Sequence, residues 1–391
     1  MDNFGDLCDH RHDHRADGLT GTPMRDHGVD KQLLILLLAL IMGGLIIFYS
    51  ASLGIFAKKG SEVFSNILIS QIVFGLICGG VGCVAASYIP YRFWRSYALV
   101  LLIATMILAA LVFIPGIGGS SGGAKRWIYL GPFSVQPSEF LKLGVVIYFA
   151  AFLSKLKGSA RSSLQGTIAF GVLMAVTGAL VLMEPDTGTF GIIAIATFAM
   201  LVVSGVPWKH VGMIVLIGVI GFGLFASVKP HVVSRLTTFI HPERDVQGAG
   251  YQLKQSLTAV GSGQISGRGF GKSLQKYYYL PEPVGDSIFA VAAEEFGFIG
   301  AMSILVAFLL FGARGLVIAR RAPDQFSGLV VVGIVILIVT QAFINIASMI
   351  GVFPLTGVPL PFISHGGSAL LAVLVGVGIV LNISRYMTKS T

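Results

Sequence analysis

An all-α polytopic membrane fold, with about ten transmembrane helices and a long extracytoplasmic loop between helices 7 and 8, follows from three observations. Hydrophobic residues make up 54% of the 391-residue chain and charged residues only 12%, about half the charged share of a soluble domain. The apolar residues fall into runs near the roughly 17–25 residues that cross a bilayer as a helix. Lys and Arg sit between those runs, with a bias to one side, as membrane topology requires. So little charge cannot cover a water-soluble globule, which excludes a soluble enzyme, a disordered protein and a disulfide scaffold. Cys8, Cys78 and Cys83 have no metal or redox spacing. The formal net charge of +9 is scattered between apolar runs rather than gathered in one patch, so no nucleic acid partner is expected.

Residues 1–31 are polar and Asp-rich, and read as a disordered cytoplasmic tail rather than a signal peptide, which needs a basic start and a short apolar core. His10, His12 and His14 could bind a metal weakly, but a disordered tail accounts for them more simply. The transmembrane domain covers 32–384, with apolar segments at 32–53, 67–87, 97–114, 137–154, 167–183, 190–206, 211–228, 298–318, 326–352 and 368–383. Residues 385–391 form a short cytoplasmic tail. With the N-terminus inside, the inner loops and tails hold Arg92, Arg95, Lys155, Lys209, Arg314 and Arg320 among others. The short outer loops hold Lys58, Lys59, Lys125 and Arg126. Both termini are then cytoplasmic. The polar complexity gathers outside, at 117–136, 184–189, 229–287 (the long extracytoplasmic loop) and 354–367, and a working site is expected there.

Five motifs carry possible chemistry. GSGQISGRGFGKS at 261–273 fails the phosphate-loop spacing because Ser266 stands where the first Gly is needed; it reads as a loop whose backbone approaches a ligand or a neighbouring helix, or as flexibility alone. Asp286 directly precedes an apolar helical run, with Glu294 and Glu295 further along it. An N-cap explains Asp286 well; a proton-accepting carboxylate at the membrane surface is the functional reading. Acidic residues at membrane depth face a cavity or a partner, so at least one of the two glutamates faces inward. Glu139 and Lys142 share a helix face in QPSEFLKL, as a neutral staple or as the lining of an outward cavity. Glu184 and Asp186 in MEPDTGT could bind a cation or share a proton, though Asp186 capping the sixth span explains the turn as well. The Pro- and Gly-rich stretch FPLTGVPLPFISHGGSA reads as an irregular loop buried in protein or facing water, with His365 as a loop hydrogen-bonder rather than a catalyst.

Taken together, QPSEFLKL, MEPDTGT, the 235–273 stretch, YLPEPVGDSIFAVAAEEFG and GVPLPFISHGGSALL, in that order, resemble the SEDS family of shape, elongation, division and sporulation proteins (FtsW, RodA and SpoVE). The resemblance covers essentially the whole chain after the tail. It implies a peptidoglycan glycosyltransferase in the bacterial cell (inner) membrane. Such an enzyme polymerises lipid II onto a nascent glycan strand at the outer face, for cell division or shape, beside a class B penicillin-binding protein and other division or elongation membrane proteins. The family's essential Asp falls on Asp286, and its functional Glu and Lys on Glu139 and Lys142. The family commonly has Thr and Phe around that Asp, where this chain has Gly285 and Ser287, and Tyr where it has His365; an FtsW-like role is preferred over a RodA-like one.

In the expected reaction a sugar C4 hydroxyl attacks C1 of a lipid-linked glycan, undecaprenyl pyrophosphate leaves, and the anomeric centre inverts. Asp286 is the expected base. Pyrophosphate is already a stable anion, so no general acid is strictly needed, unlike a glycosidase with its two carboxyls. Lys142, Arg235 and Arg268 are candidates to offset its charge, with Glu139, Asp186 and Ser364 as further substrate-binding candidates. No cofactor is required by these residues; a divalent cation such as Mg or Mn could share the task, though no clear ligand set stands out. A lipid II flippase and a non-catalytic division scaffold are the competing readings. The lack of internal repeats disfavours the first, and the acids of the motifs disfavour the second.

Overall fold

The computed structural model describes residues 28–387 apart from 122–123, 131–132, 157–159 and 246. His10, His12 and His14, most of the 1–31 tail and the end of the 385–391 tail lie outside the described residues. Each of the ten apolar segments is helical, and the boundaries carry the corrections.

The first two expected spans are not joined by a loop. α1 (Lys31–Ile69) continues through a nine-residue π-helix (Ser70–Cys78) into α2 (Gly79–Tyr88). The break between spans is one residue, Gly60, at φ 83°, a conformation costly for any side chain. Asp30 caps α1 by accepting from Leu33 N at 2.8 Å. α3 (Tyr91–Ser96) and α4 (Ala98–Ala110) follow.

The 117–136 stretch, expected as a loop, is a small antiparallel sheet of β1 (Gly118–Ser121), β2 (Ala124–Leu130) and β3 (Phe133–Val135) in the order β1-β2-β3. Gly119 pairs with Trp127 and Ile128 with Val135. Its aromatic and β-branched residues suit a pleated surface.

Then come α5 (Pro137–Leu153), α6 (Ala160–Met183), α7 (Thr187–Val203) and α8 (Trp208–Val228). α8 buries only Val211 of its length, as suits an apolar helix whose surroundings are lipid. The long loop is largely folded, with α9 (Pro230–Ile240), α10 (Ala249–Ser262) and α11 (Gln275–Tyr278). α12 (Ile288–Arg320) begins well before the expected span and is interrupted at Gly297, φ 65°. α13 (Gln325–Met349) stops short of the expected 352, and α14 (Gly367–Ser384) closes the bundle. Among the described residues, six helical stretches are long and apolar enough to cross a membrane, with shorter apolar helices at 98–113 and 187–203.

The helix ends fix a polarity. Asp30 N donates to Ser384 Oγ at 2.9 Å, and Arg314 Nε donates to Asp30 Oδ1 at 3.0 Å. The starts of α1 and the ends of α12 and α14 therefore meet at one end of the bundle. α14 has 18 residues and spans about 27 Å at 1.5 Å per residue, so its start lies at the opposite end. The motif residues gather there.

Candidate active site

Asp286 stands at the head of α12 but does not cap it. The N-cap is Ser287, with no side-chain cap bond, which corrects the capping reading. The half-buried carboxylate accepts one side-chain hydrogen bond, from Gln252 Nε2 of α10 at 3.1 Å, while the same amide donates to Ser287 Oγ at 2.9 Å. Burial pushes Asp286 up to about 6; the Gln252 amide opposes the shift and the charge of Glu282 adds to it.

The backbone around Asp286 is held from three directions. Asn345 Nδ2 of α13 donates to Asp286 O and to Val358 O, both at 2.8 Å. Ser364 Oγ donates to Gly285 O at 2.7 Å and accepts from Leu360 N at 2.8 Å. His365 N donates to Val284 O at 2.7 Å. Ser364, a substrate-binding candidate, is thus engaged in setting the backbone next to the carboxylate. Gln71 of the π-helix grips the same loop, donating to Ser364 O at 3.1 Å and accepting from Gly366 N at 3.0 Å; π-helical turns often mark functional sites. The His365 ring stacks on Phe48 at 6.2 Å, and burial pushes it down to about 4, so it is neutral.

Asp186 does cap its helix, accepting from Thr189 N at 3.1 Å and Thr189 Oγ1 at 2.8 Å, and it also accepts from Gln136 Nε2 at 3.2 Å. Arg235 lies half-buried on α9, in electrostatic reach of Asp186, Asp286 and Arg126, and its Nη1 donates to Thr356 O at 3.4 Å. Asp186, Arg235 and Asp286 are therefore brought together, and Arg126 joins them.

Glu139 and Lys142 form a buried pair at 2.7 Å. Lys142 Nζ also donates to Gln341 Oε1 at 2.6 Å, and Gln341 Nε2 to Pro359 O at 3.0 Å. The pair is both a staple, through Gln341, to the 354–367 loop and, with Gln341, Leu337 and Val373, the lining of a small cavity.

Arg268 is placed elsewhere: its Nε lies 3.6 Å from Glu294 Oε1. Glu294 also accepts from Ser273 Oγ at 2.5 Å and Leu274 N at 3.0 Å, and Glu295 pairs with the fully buried Lys276 at 2.5 Å and with Ser50 of α1. Both glutamates face inward. The glycine-rich 261–273 stretch brings backbone against a neighbouring helix. Arg268 N and Gly269 N donate to Glu294 O and Glu295 O at 3.0 and 2.9 Å, and a Cβ at Gly267 (φ 80°) would collide with the backbone there.

Gln252, Asn345, Gln341, Gln71 and Arg126 were not singled out by sequence reasoning. Gln341 and Asn345 carried a usable signal, as amides one turn apart inside an apolar span. Among the described residues no three of His, Cys, Asp and Glu converge on a common point, and the Asp186 oxygens are already engaged. Among the described residues the donor set does not form a built-in divalent-cation site.

A family model described as a cell cycle protein, for FtsW, RodA and SpoVE, matches residues 31–389. The stage V sporulation protein E of Bacillus subtilis (strain 168) is 40% identical over 362 residues, which are 91% of this chain and 97% of that protein. A probable peptidoglycan glycosyltransferase FtsW of Trichlorobacter lovleyi is 38% identical over 372 residues, 93% of this chain and 94% of that one. A solved chain, from a structure described as "Structural coordination of polymerization and crosslinking by a peptidoglycan synthase complex", superposes with a TM-score of 0.75. It is 26% identical and the match covers 92% of this chain and 98% of that one.

Proposed function

The chain belongs to the FtsW/RodA/SpoVE family, and on that premise we propose how it works as a peptidoglycan glycosyltransferase. It polymerises lipid II at the outer face of the bacterial cell membrane, with both termini cytoplasmic. The observation that carries the mechanism is the state of Asp286: a half-buried carboxylate, free of capping, raised to about 6. Above that pH it is ionised and basic enough to accept a proton from a sugar hydroxyl.

The C4 hydroxyl oxygen bonds to C1 of the lipid-linked glycan as the bond from C1 to the pyrophosphate oxygen breaks. The hydroxyl proton passes to Asp286 and the electron pair leaves with undecaprenyl pyrophosphate. Direct displacement inverts the anomeric centre. Arg235 is the best-placed cation for the leaving diphosphate, being in reach of Asp286. Asp186, Glu139 and Lys142 hold the surrounding frame and meet the headgroup at its edge, and Ser364 positions the backbone at Gly285. Arg268 is left out of the diphosphate set, because its guanidinium lies beside Glu294. Any dependence on Mg or Mn would reside with the substrate's diphosphate rather than in a protein cage, and no step is routed through it. By analogy with the synthase complex it resembles, the chain works beside a class B penicillin-binding protein that cross-links the product.

The test is reconstitution with a partner transpeptidase and lipid II. Wild type yields glycan polymer and Asp286→Ala does not; polymer of normal length and yield from Asp286→Ala overturns the base assignment. Liposomes carrying lipid II only in the inner leaflet separate polymerisation from flipping.

A further inference from the structure

Glu184, in the turn between α6 and α7, is fully excluded from solvent at 0% exposure. Neither carboxyl oxygen has a hydrogen-bond partner among the described residues. Arg126 lies beside it, but its guanidinium donates to the backbone: Nε to Glu184 O at 2.8 Å and Nη2 to Pro185 O at 2.5 Å. A buried carboxylate without a donor is strongly disfavoured, whereas a neutral carboxyl is tolerated at far lower cost. Such an orphaned group in a folded protein calls for an explanation.

The groups facing Glu184 come from several elements. Asp186 stands in the same turn, and Arg126 reaches in from β2. Arg235 on α9 is in reach of Arg126, Asp186 and Asp286. Gln136, which precedes α5, and Thr356 of the loop after α13 are neutral neighbours of this group. Burial and the negative charge of Asp186 push Glu184 up to about 8, against the pull of Arg126.

Resting on the glycosyltransferase reading above, we propose that Glu184 keeps its proton in the working enzyme and, by staying uncharged, lets the Arg126, Asp186, Arg235 and Asp286 group admit a diphosphate. The two arginines then balance the two aspartates, and the further acid facing Asp286, Glu282, is exposed and screened by solvent. Ionised Glu184 would add a buried negative charge to the group and repel the anion it must hold. Glu184 touches no substrate; it is a positioning residue that acts through the charge of its neighbours. The pH dependence is therefore two-sided. Asp286 must lose its proton, so turnover falls as pH drops through about 6. Glu184 must keep its own, so diphosphate binding weakens as pH rises through about 8.

Three measurements on the full-length protein in nanodiscs test this. Infrared spectroscopy at neutral pH should show a protonated-carboxyl stretch that Glu184→Gln removes; its absence in wild type overturns the proposal. Calorimetric binding of undecaprenyl pyrophosphate, read without turnover, should weaken in wild type by up to tenfold per pH unit above about 8, and Glu184→Gln, fixed in the neutral state, should abolish that decline. The same decline in both proteins overturns it, as does a folded Glu184→Gln that binds more than tenfold weaker at neutral pH. In polymerisation the wild-type change should fall on KM for lipid II rather than on kcat; a change in kcat alone overturns it. A wild type that binds the diphosphate with this profile yet makes no polymer breaks the glycosyltransferase reading and leaves the Glu184 assignment standing.

Discussion

The head of α12 carries two acidic groups that the fold treats in opposite ways. Glu294 and Glu295 lie inside the short first segment, both 1% exposed, and are saturated with donors: Ser273, Leu274 N, Lys276 and Ser50. Asp286, just ahead of that segment, is half-buried and receives one side-chain amide, from Gln252, beside the backbone N–H groups of Asp286 and Ser287. A carboxylate bonded by side chains and backbone from several elements joins those elements together. A carboxylate desolvated beside a like charge, with a single side-chain donor, keeps a raised proton affinity. The first arrangement builds a latch between the glycine-rich stretch, α1 and α12. The second leaves a group able to exchange a proton at its outer edge. Sequence position alone does not separate them.

The largest expected effect comes from removing the reactive member. Asp286→Asn keeps the shape and loses the base, so polymerisation should fall by about 10²–10⁴-fold, the usual contribution of general base catalysis. Thermal stability should stay within the range of a surface substitution. A drop in stability matching the loss of activity would place Asp286 with the latch instead.

Next is the latch. Lys276 is 0% exposed and its partner Glu295 is 1% exposed. Lys276→Met strands a buried charge and should cost about 3–5 kcal/mol of stability, read as a lowered unfolding midpoint. Adding Glu295→Leu should recover much of it, because an apolar pair replaces a buried ion pair at little cost. Molecules that remain folded should keep the same acid limb of the pH–rate profile. A shifted limb would show that the latch tunes Asp286 rather than merely placing it.

How much of this was legible in the sequence follows from the range of each signal. The helices were, because a run of apolar residues long enough for a bilayer is a local property. Asp286, Asp186, Glu139 and Lys142 stood out because charge is rare in such runs. The donors that decide their roles did not. Gln252 reaches Asp286 across 34 residues and Gln71 reaches Ser364 across 293, contacts that only the packed bundle creates. The N-cap rule gave the right role for Asp186 and the wrong one for Asp286, since both precede apolar helices. What differs is a Thr three residues on in one case, and in the other an amide from α10 that draws the carboxylate aside. The break at Gly60 and the sheet at Gly118–Val135 were missed for a related reason: a helical kink without a loop, and strands too short to stand out among loop residues.

A smaller change probes the donor shortage itself. Gln252 lowers the proton affinity of Asp286. Gln252→Leu removes that donor, so the carboxyl titrates at higher pH and the acid limb should move up by about one pH unit. Activity should fall several-fold near neutrality and recover at alkaline pH. A loss independent of pH would mean that Gln252 serves only to place the α10 backbone.

The finest test uses Glu282, an exposed residue whose charge raises Asp286. Glu282→Gln removes the like charge, so Asp286 should titrate lower and the acid limb should shift down, by only about a few tenths of a pH unit because solvent screens an exposed charge. The same screening supplies an internal control. Raising salt in the wild type should move its limb in the same direction as the substitution does, and in Glu282→Gln salt should have less left to screen. If neither salt nor the substitution moves the limb, the elevation of Asp286 comes from burial alone. The contrast with Glu294 and Glu295 would then rest entirely on which carboxylate the bundle supplies with donors.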